Sequence, residues 1–559
     1  MEYISVLNYT MPAISYGLQE DLAHSSYTRT SIESAFVTKV AGFGAISGVL
    51  VALLIDYLFH FEYKSFKKKV KIKMGDRVLL QKIFILIILP FILPFVASLL
   101  LVAYCYKLIC SVIIKRKDKH FAGFLDSFDV FWSLEDDATK SVINVLGVIE
   151  SKSPQDLVDH IREKLQCVMQ NSDAEKIFYR RNEEYGFYYW RKCCYIDISQ
   201  YVRIVDVSNS TELNISDLEE VMTEIAYQPL PFNDEGLFQI LITNQKLKSD
   251  NKNDEYGVIF RIHHAVGDGV SLIEFLCESL ADSNKNESNV FCMPDSYKSN
   301  TKKTPSDLME MIIKLCKMPE SLVDGILREP DRTSLHGPKL IGKKLFKWTD
   351  SDENLFGLVK DIKKNSEDLN FSDILATSLS CGLRDYYMKE IYPAPNTVSV
   401  ILPIRFPQKK TGILKLENNF TVALLDLPIG SNFEDVRRNF NRLRESADPL
   451  TNYYFLKVCS ILPKEILFHV FYSNQATMVL SNMPGPKVLS ICGGVMKSLV
   501  FFIPNKGNTG LGITALCYNG VLRFGAIADS ALVSSSDQLA TILNGMVKEI
   551  KRLHKEHVS

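Results

Sequence analysis

The stretch Tyr256-Gly-Val-Ile-Phe-Arg-Ile-His-His-Ala-Val-Gly-Asp-Gly-Val-Ser-Leu272 changes character twice. Residues 257–264 alternate as a strand does, with Val258, Phe260, Ile262 and His264 on one face and Ile259, Arg261 and His263 on the other. Gly267-Asp268-Gly269 then breaks the strand, and from Val270 to Ala281 the apolar positions recur at helical spacing. His264 is therefore expected at a strand's end, on its apolar face, just before a glycine-bounded turn. An apolar wall disfavours imidazolium and leaves such a side chain able to accept a proton. Asp268 is expected to hold the turn and orient the neighbouring imidazole. His263 faces the other way and is expected to pack.

Three readings fit a His-His pair followed by Asp-Gly. It is a buried core pair beside an ordinary turn, a metal site using His264 and Asp268, or a general base for acyl transfer. The glycines at 267 and 269 argue against the helix that a four-residue ligand spacing requires, and no third ligand is near in sequence, so no metal is expected. Only ten histidines occur in 559 residues, so a chance His-His-x-x-x-Asp-Gly is rare.

Outward from this stretch, residues from about 121 onward mix helical and strand patterns, as an α/β protein does. Amphipathic runs are expected as helices at 149–169, 218–226, 270–281, 306–327, 372–390, 432–446 and 535–554. Short apolar runs are expected as strands at 257–263, 397–403, 421–427, 476–481, 512–518 and 521–528. A polar, proline-marked stretch at 282–304 and a Pro/Gly-rich break from Arg328 to Gly342 read as loops. They divide the chain into two mixed halves, 121–335 and 345–559.

The first fifth is different. A polar segment, 1–39, precedes an apolar stretch from Val40 to Phe61 that carries no charge until Asp56 and is long enough to cross a hydrocarbon core as a helix. The first 35 residues lack the basic opening of a secretory signal. A second apolar stretch, Ile83 to Ile114, is charged only at Lys107 and contains Pro90 and Pro94. It exceeds one span and falls short of two, so a kinked span and a re-entrant hairpin both remain open. Basic residues between the stretches (Lys64 to Lys82) and after them (Lys115-Arg116-Lys117) belong on the cytosolic side. Two full crossings would separate these flanks, which favours a hairpin or an interfacial second segment; 40–115 is read as a membrane anchor with all that follows cytosolic. The remaining composition is that of an ordered protein: 47% hydrophobic, 23% charged, with net charge −1. That balance gives no global attraction to nucleic acid. Twelve scattered cysteines without paired metal spacing read as free thiols in a reducing compartment.

His263-His264-x-x-x-Asp268-Gly269 resembles the HHxxxDG signature of the coenzyme A-dependent acyltransferase superfamily, which includes chloramphenicol acetyltransferase and peptide-synthetase condensation domains. Within it, the sequence is most similar to the wax ester synthase/diacylglycerol acyltransferase family. The likeness extends to Leu125-Asp-Ser-Phe-Asp-Val-Phe-Trp-Ser-Leu-Glu135, to Gln228-Pro-Leu-Pro-Phe-Asn-Asp-Glu-Gly-Leu-Phe238, to Leu402-Pro-Ile-Arg405 with Glu417-Asn-Asn419, and to Ser481-Asn-Met-Pro-Gly-Pro486. Tyr518-Asn-Gly520 and Phe524-Gly-Ala-Ile-Ala-Asp529 continue it. Phe238 stands where the family has tryptophan, and asparagine stands where it has glycine before Asn419.

The resemblance implies an α/β fold of two chloramphenicol-acetyltransferase-like lobes forming a tunnel, behind an N-terminal helical membrane anchor. It implies transfer of a fatty acyl group from acyl-CoA to a long-chain fatty alcohol, to diacylglycerol, or to both. His264 would be the general base within a catalytic motif that includes His263, Asp268 and Gly269. Gly269 would relieve crowding at a helix start whose first amides face developing negative charge. By analogy, Arg405 would pair with Asp268, while Asn419 and Asn482 would donate hydrogen bonds near the thioester or pantetheine. Turn-forming asparagines beside Pro484-Gly485-Pro486 explain the last two equally well. Acyl-CoA enters as substrate, with no cofactor. Partners are lipid membrane and a lipid alcohol, without nucleic acid or metal, at endoplasmic reticulum or lipid droplet. The alternatives are a catalytically silent lipid-binding or scaffold protein of the same fold, or a transferase with another acceptor such as an amine.

Overall fold

The computed structural model describes residues 76–558 apart from 171, 194, 208–210, 250–252, 283–304, 350–353, 367–368, 406–413, 431–432 and 473. The polar segment 1–39, the apolar stretch 40–61, most of the basic loop after it and the linker at 283–304 lie outside the described residues.

In chain order the first part holds α1 (Asp76–Lys117), β1 (Phe121–Phe124), α2 (Ser127–Ser133), β2 (Val142–Glu150) and α3 (Pro154–Gln170). It continues with β3 (Arg180–Glu184), β4 (Phe187–Arg191), α4 (Ile198–Tyr201), β5 (Val202–Val205), β6 (Glu212–Leu213) and α5 (Ile215–Ile225). Then come β7 (Phe238–Thr243), β8 (Lys246–Leu247), β9 (Glu255–His263), α6 (Gly269–Phe275) and α7 (Pro305–Leu327). The second part holds β10 (Lys344–Trp348), α8 (Leu355–Asn365), α9 (Phe371–Lys389), β11 (Thr397–Arg405), β12 (Phe420–Pro428) and α10 (Phe433–Glu445). It ends with α11 (Asp448–Cys459), α12 (Lys464–Val470), β13 (Met478–Pro484), β14 (Ser490–Ile491), β15 (Gly494–Phe502), β16 (Leu511–Tyr518), β17 (Val521–Asp529) and α13 (Ser536–Val558).

Two six-stranded sheets carry the architecture, ordered β14-β15-β2-β9-β7-β5 and β10-β17-β16-β13-β11-β12. β9 lies inside the first, antiparallel to β2 and β7, with Phe260 opposite both Val145 and Ile240. All nine of its residues are buried, as a strand covered on both faces requires. Val258, Phe260 and Ile262 point into one core, whereas Ile259 packs on the other side with Met222 of α5 and Phe346 and Trp348 of β10. The alternation read from the sequence is thus the one found. The second sheet has its own core, in which Val400, Ala423 and Ile513 meet Leu379 of α9 and Ile542 of α13.

Lobe membership and sequence order part company at β14 and β15. These strands come late in the chain but complete the first sheet, where Phe501 pairs with Val145 and Leu499 with Gly147. Gly494 is fixed by this docking, because a Cβ there would collide with the Glu150 carbonyl.

Element ends differ from expectation in instructive places. The helix expected from residue 149 begins at Pro154; Ile149 still belongs to β2, and the Ser153 hydroxyl accepts from the Asp156 amide as an N-cap. The helix expected to reach Ala281 is α6 for one stretch and then a π-helical turn, Leu276–Leu280. The Arg328–Gly342 break is an ordered loop, held where Asp529 accepts from the amides of Ile341 and Gly342 and from Lys344.

The favoured hairpin for the second apolar stretch is corrected. α1 runs unbroken for 42 residues through Pro90 and Pro94. Each proline removes one helical hydrogen bond. Phe91-Ile-Leu93 between them offers no residue suited to a reversal, so the helix continues. Its Ile83–Lys117 portion is long and apolar enough to cross a membrane, and an apolar window of it is wholly unburied. Its end docks: Cys110 and Ile114 are buried, and Lys107 Nζ donates to the Ser460 carbonyl at 3.0 Å.

Candidate active site

His264 follows the last residue of β9, and its amide donates to the Ser141 carbonyl, so the backbone of the first sheet fixes its Cα. Its Nδ1 lies 3.1 Å from Asn418 Oδ1. The Asn418 amide nitrogen donates to Asp129 Oδ1 (2.9 Å) and to the His264 carbonyl (2.7 Å), which leaves its oxygen to face the ring. An amide oxygen only accepts, so Nδ1 carries the proton and Nε2 keeps the lone pair. The imidazole also stacks on Trp132 of α2, centroids 3.9 Å apart at 10°. Burial pushes its pKa down to about 4, so the ring is neutral around pH 7.

Behind Asn418 stands Asp129, pushed up to about 6 by burial although Lys176 Nζ lies 2.9 Å away. His263 points away from this group. Its Nε2 is 3.3 Å from Glu135 and 2.8 Å from Arg181, and its Nδ1 accepts from the Ala265 amide. Burial opposes the Glu135 charge, yet His263 and Arg181 hold that carboxyl well below the usual carboxylate range. His263 is therefore a buried structural partner, not a group that reaches a substrate.

Asp268 caps α6. Its Oδ1 accepts from the Ser271 amide and hydroxyl, its Oδ2 accepts from the Asn419 amide, and Arg405 Nη1 is 3.2 Å from Oδ1. The aspartate thereby ties the turn after β9 to β11 and to the segment before β12. It does not touch the imidazole; Asn418 has that place. Capping by Asp268 also occupies the Ser271 amide, so that one donor of the helix start is taken. Gly269 packs against Met483, whose side chain a Cβ would overlap. Asn419 contributes through its backbone, whereas Asn482 and Arg405 line the space in front of His264.

That space is a partly open cavity of about 430 Å³ between the two sheets. The first sheet and α6 contribute residues such as Phe260, Leu499 and Leu272; the second contributes Ile401, Val422 and Val479. His264, Asp268, Gly269, Arg405 and Asn482 share its wall, and its volume suits a small or chain-like ligand rather than bulk water. Lys506 is also on the wall. Its Nζ donates to the carbonyls of Phe131 and Leu134 at the end of α2 and lies 6.0 Å from the Trp132 ring, with its pKa pushed down to about 8 by burial. Among the described residues no cluster of His, Cys, Asp and Glu has a metal-binding arrangement.

Residues 416–551 match the family model of the WS/DGAT C-terminal domain. That match lies in the second half of the chain and spans about a quarter of its length. The matched segment includes Asn418, Asn482 and Lys506, while His264 lies outside it, on the half that the fold brings opposite. No curated protein matches by sequence. Among solved structures, the wax ester synthase/diacylglycerol acyltransferase from Marinobacter aquaeolei VT8 is similar, with TM-score 0.53 and 17% identity over 77% of this chain and 100% of that one. A trichothecene 15-O-acetyltransferase from Fusarium sporotrichioides is similar at TM-score 0.51 and 11% identity, covering 76% and 94%. At these identities the structures establish the mixed α/β acyltransferase fold; the WS/DGAT domain supports an acyltransferase. Sequence reading missed Asn418, Trp132, Asp129 and Lys506. The first three sit in stretches whose WS/DGAT likeness was visible, but likeness does not say which asparagine turns inward. Lys506 had no local signal.

Proposed function

We propose that the protein is a membrane-anchored O-acyltransferase that moves a fatty acyl group from acyl-CoA to a long-chain fatty alcohol, diacylglycerol or both. The carrying observation is a neutral imidazole whose Nδ1–H is engaged by Asn418 and whose ring borders an apolar cavity between the lobes. In this reading the alcohol oxygen attacks the thioester carbon while Nε2 takes its proton. As the tetrahedral intermediate collapses, the C–S bond breaks and His264 returns that proton to the CoA thiolate. No acyl-enzyme forms, so no nucleophilic Ser or Cys is needed. Proton removal by a positioned base contributes about 10²–10⁴-fold. His264→Ala, assayed in membranes with labelled acyl-CoA and each acceptor in parallel, is expected to lose ester formation by about that factor. Undiminished ester would end the mechanism.

The apolar, unburied part of α1 supports a membrane location, which we assign to endoplasmic reticulum or lipid droplet with the catalytic part in the cytosol, where acyl-CoA is found. Protease added to sealed microsomes is expected to digest the catalytic lobes; full protection would overturn that orientation.

A further inference from the structure

We propose that α12 and the residues just after it form a bilayer-facing mouth through which a lipid-dissolved chain reaches His264. The inference rests on the acyltransferase reading and adds where the lipid passes. A series of rings leads outward from the base: His264 stacks on Trp132, Trp132 meets Phe131 at 5.1 Å, and Phe131 meets Phe471 at 5.8 Å. Phe471 is flanked by Val470 and Tyr472, which line the same cavity yet are 41% and 48% exposed. Ile466, one helical turn before Val470 and on its side of α12, is 49% exposed. The cavity therefore ends at a surface that is itself apolar.

The same surface adjoins the membrane-length helix. The Lys464 amide donates to the Gly186 carbonyl at 2.8 Å, and Gly186, at φ +79°, sits so close that a Cβ would come within 3.0 Å of Pro463. The other side of that β3–β4 turn holds α1: Tyr106 packs on Phe187 at 5.8 Å, and its hydroxyl lies 3.4 Å from the Tyr185 carbonyl. Upstream of this contact α1 presents Phe91, Phe95 and Leu99 to the outside. Hydrocarbon that covers α1 thus arrives within one turn of chain from α12. A long chain leaves hydrocarbon at a cost that rises with every methylene, and lateral passage from bilayer to cavity avoids that step.

The test uses the full chain in phosphatidylcholine vesicles. A photoreactive benzoylphenylalanine replacing Tyr472 is expected to cross-link phospholipid, whereas the same probe replacing the exposed Met388 of α9 is not. Equal cross-linking at both positions, or capture of protein instead of lipid at 472, overturns the mouth. In activity assays, Ile466→Glu/Tyr472→Glu is expected to lower the ratio of ester formed from vesicle-borne cetyl alcohol to that from dissolved butanol by about ten-fold, while Met388→Glu leaves it unchanged. An unchanged ratio in the double variant overturns the proposal. Lipid cross-linking by the probe at 472, together with a wild-type protein that esterifies neither alcohol, supports the surface and sinks the enzymatic reading, so the two fail separately.

Discussion

Burial keeps His264 unprotonated and also weakens it as a base, and the two effects have different signatures in pH. With the pKa pushed down to about 4, the acid limb of kcat/KM set by this group is expected near pH 4, not at the ordinary histidine value of about 6.5. Stability carries the matching sign. The unfolded chain binds the proton first as pH falls, so this group's contribution is whole above about 6.5 and is lost progressively down to about 4. A limb near pH 6 that disappears in Asp129→Asn would instead belong to Asp129, whose carboxyl is pushed up to about 6. Asn418→Leu removes the acceptor of Nδ1–H and frees the ring to adopt the wrong tautomer. An unpaired buried donor costs about 1–3 kcal/mol, so kcat is expected to fall about 10–100-fold with the fold retained, checked by steady-state kinetics beside circular dichroism. The sequence placed His264 correctly because alternation and the glycine turn are local. It could not place Asn418, more than 150 residues away, because only the register between the lobes decides which of two adjacent asparagines faces the ring.

Among elements, α2 is the one whose position the site most depends on, since it supplies both Asp129 and Trp132. Its last turn is held from outside as well as by the Leu134 amide, since Lys506 donates to the carbonyls of Phe131 and of Leu134 just beyond the helix. Lys506→Met keeps the bulk and removes the donors. It is expected to destabilise the protein by about 1–3 kcal/mol in urea unfolding and to alter Trp132 fluorescence. Unchanged fluorescence would mean that α2 is held in place by packing alone. The helices and strands that were named are found, because amphipathic period and apolar runs are local properties, whereas β2, β7, β15, α8 and α11 were not read from the sequence. Where reading failed, a local rule was outvoted. Ser153-Pro154 started a helix later than its periodicity did, and two prolines did not bend α1 because no turn-forming residue lay between them.

At the scale of the molecule, the first sheet is incomplete without residues 490–502. Two halves in sequence are not two closed units in space, and no local pattern announces that a strand near residue 500 pairs with one near 145. A fragment ending at residue 342 leaves the backbone edge of β2 unpaired, and such edges recruit other strands. It is expected to be insoluble when expressed alone and to become soluble when co-expressed with residues 343–559, as measured by the supernatant fraction. Solubility of the first fragment alone would show that β15 is dispensable.

The same late strand sets a schedule on the ribosome. Between translation of Glu150 and of Phe502, at about 5–20 residues per second, roughly 20–70 s elapse during which the sheet beneath His264 has no β15 partner for β2. A nascent chain therefore exposes a naked pairing edge during that interval, and the cavity before His264, walled in part by Leu499 and Phe501 of β15, stays unfinished until that strand arrives. Demand for a chaperone during synthesis is thereby built into the order of the strands.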